Sequence, residues 1–523
     1  MNGHIEKNTG SYSIPQEAQK IFLEGVINNA LVSKNLPPEA AELARNVKFE
    51  GSALPSVPIN WRFAESISSL KALEATMVNV LLKRKYNVQP QKVTIDTDHA
   101  QLFFMSLLIT TLDGEPFGVG RPSTPHLAAL ADQYFPSWDK HGLASSAHRA
   151  SATNIYRCAD GRFFHLHGSM DPAPTLRSLG LPLDAAAASE EASYRPFVDA
   201  IARIDSAALQ RMASDEARQA GTICWTADEY AASEHGRANA HVGLYEVDAF
   251  AQCHIDLNWG KWNCCLDFKD EADRRKCVEL IKEADVVVTG YRPGVLDKYG
   301  FSYEGLFDIC KERERGLIVV RENSYGWHGP WSYRSGWQQI SDANCGVSME
   351  FGRAMGNDEP VTPVFPNSDY CTGVCGVVGT LDALMRRAQD GGSYKVDVAL
   401  NYYSQWLVNS VGTYPAAIWK DVWARNGSPV FRHYHNMPYT IPRFLNMLTQ
   451  HSSNVLFKPE YFEERWSGYM GRTIRTPKPV ATYEVADGVT EEEKVKLGFN
   501  VSTRTNGVDK PRWPEDLMTE IVA

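Results

Sequence analysis

The residue in this chain best suited to covalent chemistry is a carboxylate at the mouth of a helix. The run DYCTGVCGVVGTLDALMRRAQ predicts a helix over about 370–387, with Asp369 just before it. A helix N-terminus leaves amides unpaired and carries partial positive charge, so it favours an anion. The same amides are placed to hold an oxyanion developing at an attacked carbonyl. Taken by itself, an aspartate at this position reads as an N-cap. Arg292 in YRPG and Lys298 in LDKYG follow a predicted strand, where basic groups suit phosphate recognition, and each reads equally well as solvated surface charge. Lys261 in NWGK is open to the same two readings. Gly326 and Gly329 in NSYGWHGP fit a tight turn, because glycine adopts dihedrals other residues avoid.

Other candidates fail on spacing. His165/His167 and His433/His435 are H-x-H pairs without a third ligand at a recognisable distance in sequence, so no metal is expected. Gly391-Gly392 stops a helix and lacks the lysine of a phosphate loop. The ten cysteines follow neither a disulfide framework nor a zinc pattern, and Cys371 and Cys375 read as small buried apolar residues one helical turn apart. A reducing compartment follows, with the cytoplasm as the expected location.

These residues need elements to position them. DEADRRKCVELIKE (270–283) is an amphipathic helix capped by Asp270. WNCCLDF (262–268), ADVVVTGY (284–291) and GLIVVREN (316–323) read as buried strands, the second fully so. Strands alternating with helices imply a parallel sheet covered on both sides. NIYRCADGRFFHLHGS (154–169) reads as a hairpin turning at Asp160-Gly161, and Ala-rich helical segments follow from about 185 to 236, together a smaller α+β domain. The last hundred residues carry weak periodicity and read as loops over the body.

Composition narrows the partners. At 523 residues, with 43% hydrophobic and 22% charged, the chain can bury a core without staples. A net charge of −10 argues against nucleic acid and anionic membrane surfaces. No apolar run of spanning length and no secretion signal are apparent.

An internal echo links the two ends of the chain. LDALMRRAQDGGSYKVDVAL (381–400) matches VNVLLKRKYNVQPQKVTIDT (78–97) in pattern, with Arg387 against Arg84 and Val396 against Val93, a constant offset of 303 (387 − 84 and 396 − 93). At that offset Ser66 stands opposite Asp369.

Three segments in order resemble the class III CoA-transferase (CaiB/BaiF-like) family, whose members include formyl-CoA transferase, carnitine CoA-transferase and α-methylacyl-CoA racemase. LNWGKWNCCLDFKDEADRRKCVELIKEADVVVTGYRPGVLDKYGFSYEGL (257–306) resembles its N-x-x-K segment followed by a strand, a helix and a second strand that ends in an R-P-G turn. NSYGWHGPWSYRSGWQQISDANCGVS (323–348) is similar to its G-x-G-x-x-G-P loop. SDYCTGVCGVVGTLDALMRRAQDGGSYKVDVAL (368–400) is similar to the D-x-x-T-G helix with the catalytic aspartate.

The resemblance implies an α/β protein with a Rossmann-like open parallel sheet and a second, smaller α+β domain. It implies CoA transfer from an acyl-CoA to a carboxylic acid through an acyl-aspartyl anhydride on Asp369. Coenzyme A would enter as the substrate thioester, held by Asn258, Lys261, Tyr291, Arg292, Lys298, Gly326 and Trp337, with no metal. Racemases of the family pair the aspartate with a histidine where this chain has Trp337, and indole cannot shuttle protons. An acyl-CoA racemase or epimerase and a catalytically weak relative remain alternatives. The order of pieces suggests a rearranged tandem: a degenerate first-copy piece at 1–145, the small domain at 146–240, a catalytic domain at 241–420 and an extension at 421–523. The family's usual first βαβ unit has no counterpart before the N-x-x-K segment. Family members form interlocked dimers, so a homodimer is an expectation.

Overall fold

The computed structural model describes residues 12–117, 124–136, 139–143, 145–247, 259–484 and 501–523. It is a mixed α/β protein with four small sheets. Among the described residues no helix is long and apolar enough to cross a membrane.

The N-terminal unit runs from strand β1 (Val47–Glu50) through helix α1 (Phe63–Tyr86) to strand β2 (Val93–Asp96), and β1 and β2 pair in parallel with Val47 opposite Val93. The small domain follows. β3 (Asn154–Arg157) and β4 (Phe163–Leu166) form the expected antiparallel hairpin around Asp160-Gly161, and β5 (Gly221–Ile223) adds to β4. Its core of Tyr156, Phe164, Leu176, Phe197 and Leu209 is separate from the main core.

The third unit holds α2 (Glu271–Glu283), β6 (Val286–Thr289), β7 (Ile318–Asn323), α3 (Gln338–Asn344), α4 (Asn367–Asp390), β8 (Tyr394–Ala399) and α5 (Leu400–Trp406). Asp270 caps α2 by accepting from the amides of Ala272 and Asp273, as its position suggests. The strands form a parallel sheet in the order β8-β7-β6. Helix α4 buries Cys371, Val374, Cys375 and Val378, an i, i+3, i+4, i+7 stripe. It lies close on β8 because residue 379 is glycine: a Cβ there would come within 2.4 Å of Val396 Cγ1. Helices α1 and α4 are both 24 residues long, each joins two parallel strands, and they pack on each other inside one continuous core.

Four expectations need correction. WNCCLDF is not a strand; it runs irregularly beside the C-terminal segment, with Asn263 N donating to Asp509 and the Trp262 indole donating to Thr519 O, so its partners are side chains and carbonyls rather than a sheet ladder. ADVVVTGY is only partly buried, because β6 is the sheet's edge strand and Val288 is 42% exposed. Helix α4 starts at Asn367, so Asp369 is the third residue of its first turn and not a residue before it. The closing hundred residues are also more ordered than loops. β9 (Phe462–Ser467) and β10 (Arg472–Pro477) form a hairpin, and β11 (Ala481–Tyr483) pairs with β2.

Candidate active site

Strand alternation sends successive side chains of β7 to opposite faces. Val320 and Glu322 stand on the face that carries Val396 and Val398 of β8, the face against which α4 packs. Val319 and Arg321 stand on the other, beside Asp397. The C-terminal edge of β7 therefore separates two chemically different places.

On the α4 face three carboxylates converge. Asp369 lies in the first turn of α4, where burial pushes its carboxyl up to about 7. Glu322 is pushed up to about 8, by burial and then by the charge of Asp369. Asp342 in α3 is raised well above the usual range, chiefly by burial, although the Gln338 amide donates to it. Both Asp369 and Glu322 keep a partial opening to solvent while protein surrounds most of each carboxyl. The sequence suggested that the helix end would hold Asp369 ionised; the observed direction is the opposite, because desolvation outweighs the helix field.

On the opposite face a cleft of about 300 Å³ is lined by Tyr291, Arg292, Gly294, Tyr303, Arg321 and Trp327. Its location, beyond the carboxyl ends of parallel strands, is where open α/β sheets bind ligands. Arg321 is neutralised by a two-point pair with Asp397 at 2.9 and 2.7 Å, and its guanidinium lies 3.8 Å from the centre of the Trp327 ring. Arg292 donates to Arg218 O at 2.8 Å and is otherwise exposed. It can turn to an anionic ligand by giving up one neutral hydrogen bond.

The predicted site residues divide accordingly. Tyr291 and Arg292 line the cleft together. Gly326 makes the turn after β7 at φ 100°, with Asn239 and Tyr402 so close that no side chain fits. Trp337 stands at the N-cap of α3 and stacks on His167 of the small domain. Lys298 lies outside the cleft lining, over the ring of Tyr299 at 5.0 Å, although its neighbours Leu296 and Asp297 line the cleft. Lys261 is exposed on the irregular stretch beside residues 501–520. Asn258 lies outside the described residues.

Sequence reasoning missed Glu322, Asp342, Arg321 and Trp327. A signal existed for the first and third: GLIVVREN changes from apolar to R-E-N at the end of a buried strand, where α/β folds present functional side chains.

Comparison with known proteins gives one consistent family. A profile described as CoA-transferase family III matches residues 237–441. The chain is 44% identical to the "Acetyl-coenzyme A transferase nodX" of Hypoxylon pulicicidum, across 99% of this chain and 96% of that one. It is 25% identical to an "Acyl-CoA transferase" of Gibberella moniliformis, across 70% of this chain and 74% of that one. A crystal structure of a CAIB/BAIF family protein from Brucella suis is 28% identical over 29% of this chain and 39% of that chain, with a TM-score of 0.25. Such an overlap says nothing about overall architecture. Near-complete alignment at 44% identity does decide descent: this chain belongs to CoA-transferase family III and is a transferase.

Proposed function

We propose that the protein moves CoA from an acyl-CoA thioester to a carboxylic acid, with Asp369 as the nucleophile. The observation that carries this reading is a carboxylate in the first turn of α4, raised by burial to about 7, across the carboxyl end of β7 from the Arg292 cleft. Ionised Asp369 attacks the thioester carbonyl, the C–S bond breaks, and CoA leaves as thiolate with an acyl-aspartyl anhydride in place. The thiolate then attacks the aspartyl carbonyl and releases the donor acid. The acceptor carboxylate attacks the resulting aspartyl thioester, expelling the thiolate and forming a second anhydride. Thiolate attack on the acceptor acyl group returns Asp369 and yields the new acyl-CoA. Each intermediate is as activated as the thioester it replaces, so the exchange stays near balance.

Racemisation is the weaker reading because Trp337 occupies the position of the racemase histidine, and an indole N–H only donates. Arg292 and Tyr291 are the proposed contacts of the CoA phosphates and adenine, and Gly326 shapes the loop between cleft and carboxylates. The chain is read as a rearranged tandem with the boundaries given above. Supporting this, α1 and α4 are equal in length and each joins two parallel strands. In this reading Ser66 replaces the nucleophile, and its hydroxyl lies 3.0 Å from that of Tyr403, so the first copy is silent. The protein is read as cytoplasmic, from its unpatterned cysteines, and as dimeric, as the family resemblance implies.

The test is chemical trapping. With acetyl-CoA as donor, chosen from the name of the Hypoxylon relative, hydroxylamine should yield acetohydroxamate in step with CoA release. Asp369→Asn should lower this by at least about 1,000-fold. Hydroxamate formation that survives the substitution would remove Asp369 from the mechanism.

A further inference from the structure

Beyond the carboxylate site, three potential metal ligands from separate segments meet where the sequence shows no metal motif. His241 follows the small domain, Glu246 lies at the start of the third unit, and His328 belongs to the glycine loop after β7. The ligand atoms of all three lie within 4.8 Å of one another. His328 Nε2 is 2.9 Å from Glu246 Oε1, and His241 Nε2 is 4.0 Å from the same oxygen. The two imidazoles meet edge to face with ring centres 4.7 Å apart.

The supports resemble those of a built site more than those of a surface ion pair. Tyr402, 1% exposed, donates its hydroxyl to Glu246 Oε2 at 2.9 Å, and His328 Nε2 lies 2.9 Å from Oε1 and 3.1 Å from Oε2. That hydroxyl is itself fixed by the amide of Trp327 at 2.9 Å. The backbone of Glu246 is held by two hydrogen bonds with Asp397, at 2.8 and 2.7 Å. The carbonyl of His328 accepts from buried Asn239 at 2.9 Å, and that of His241 accepts from Lys34 at 2.9 Å. Each ligand is thus anchored by its main chain, and the three tips face one another. Side-chain exposures of 58%, 40% and 23% for His241, His328 and Glu246 leave the tips room to adjust.

We propose that His241, Glu246 and His328 bind one divalent transition-metal ion of the zinc type. Two imidazoles and one carboxylate form a three-ligand set that leaves a fourth position for water. Ligand atoms about 2.1 Å from a tetrahedral ion stand roughly 3.4 Å apart. The His328–Glu246 separation must widen by a few tenths of an ångström, and His241 must swing inward by about 0.6 Å. Tyr402 takes the outer-shell role of orienting the carboxylate. Bound metal would tie the loop after β7 to the segment around Glu246, joining residues 82 apart in sequence. Trp327, adjacent to His328, lines the Arg292 cleft, so the ion would brace that wall. This inference does not depend on the transfer chemistry.

The test uses the purified full chain without CoA, since the CoA thiol binds zinc. After chelator treatment, zinc titrated by calorimetry should bind at one ion per chain and raise Tm. Cobalt in its place should give visible absorption bands of low coordination number. His241→Ala, at a largely exposed position, and Glu246→Gln should abolish both signals. Tyr402→Phe should weaken zinc by about 10- to 100-fold. His433→Ala, which removes a different His–carboxylate pair beside Glu359, should change nothing. No stoichiometric zinc binding, or binding unaffected by His241→Ala and Glu246→Gln, would overturn the proposal and leave His328 and Glu246 as an ion pair only.

Discussion

The imidazole of His167 lies flat on the indole of Trp337, with ring centres 5.3 Å apart and planes 5° from parallel. His167 comes from the end of the small-domain hairpin and Trp337 from the N-cap of α3, so the stack joins the small domain to the element that carries Asp342. The His167 Nδ1 accepts from the Ser169 amide at 2.9 Å, and burial pushes the imidazole down to about 4. At neutral pH the ring is uncharged and packed. In the reading proposed above, the place of the racemase histidine is instead a wall.

The first expected outcome concerns that wall. In D₂O the protein should catalyse CoA exchange without placing deuterium at the α-carbon of a chiral 2-methylacyl-CoA, followed by mass spectrometry. Trp337→Ala should lose about 1 kcal/mol of aromatic pairing with His167 and still show no exchange. Deuterium uptake faster than transfer would favour the isomerase reading.

Arg292 should act on binding alone. Arg292→Ala is expected to raise KM for acetyl-CoA about tenfold, the worth of one charge-assisted hydrogen bond to phosphate, with kcat nearly unchanged. Arg292→Lys should recover part of the loss, and the effect should shrink in high salt. An unchanged KM would place the CoA phosphates elsewhere.

Local rules were legible in the sequence wherever one residue decides the geometry. Asp270 announced a cap, Asp160-Gly161 a hairpin and Gly326 a turn that only glycine can make, and all three are present. Asp369 was found through the motif around it, but Asn367, Ser368 and Asp369 are all good N-cap residues after Pro366, and the sequence does not choose among these starts. What failed depended on tertiary partners. WNCCLDF has strand composition, yet its partner is a distant irregular segment, so no ladder forms. Glu322 looked like the polar end of a strand; only the packing of α4 on that face makes it a neighbour of Asp369.

That neighbour shapes the expected pH dependence. Burial raises both carboxyls, Asp369 to about 7 and Glu322 to about 8, so the coupled pair is expected to titrate around neutrality. Since the nucleophile must be ionised, kcat/KM should rise through about pH 7, tenfold per pH unit on the acid side. Above about 8 Glu322 gains charge beside a substrate carboxylate, and the rate should fall. Glu322→Gln should abolish the falling limb and keep the rising one. A profile flat from pH 5 to 9 would exclude Asp369 as the titrating nucleophile.

The same displaced acidity predicts a cost in stability. A carboxyl whose folded pKa lies above its unfolded value of 3.8 holds its proton in the folded chain while the unfolded chain has lost it. Below about pH 4 both states are protonated and the group is neutral to folding. As pH rises toward 7 the unfolded state is favoured progressively, and above 7 the penalty is complete. After allowance for the partial opening to solvent, it should amount to about 2 kcal/mol. Asp369→Asn removes the group, so the variant should be more stable than the parent at pH 8 by that amount, and the gap should close by pH 4. Denaturant unfolding at the two pH values measures it. A variant that loses activity and also loses stability at pH 8 would show Asp369 to be a structural cap, its charge welcomed by the helix end. One that loses activity while gaining stability would show a carboxylate held against the preference of its surroundings, as a nucleophile must be if it is to react with a thioester out of water's reach.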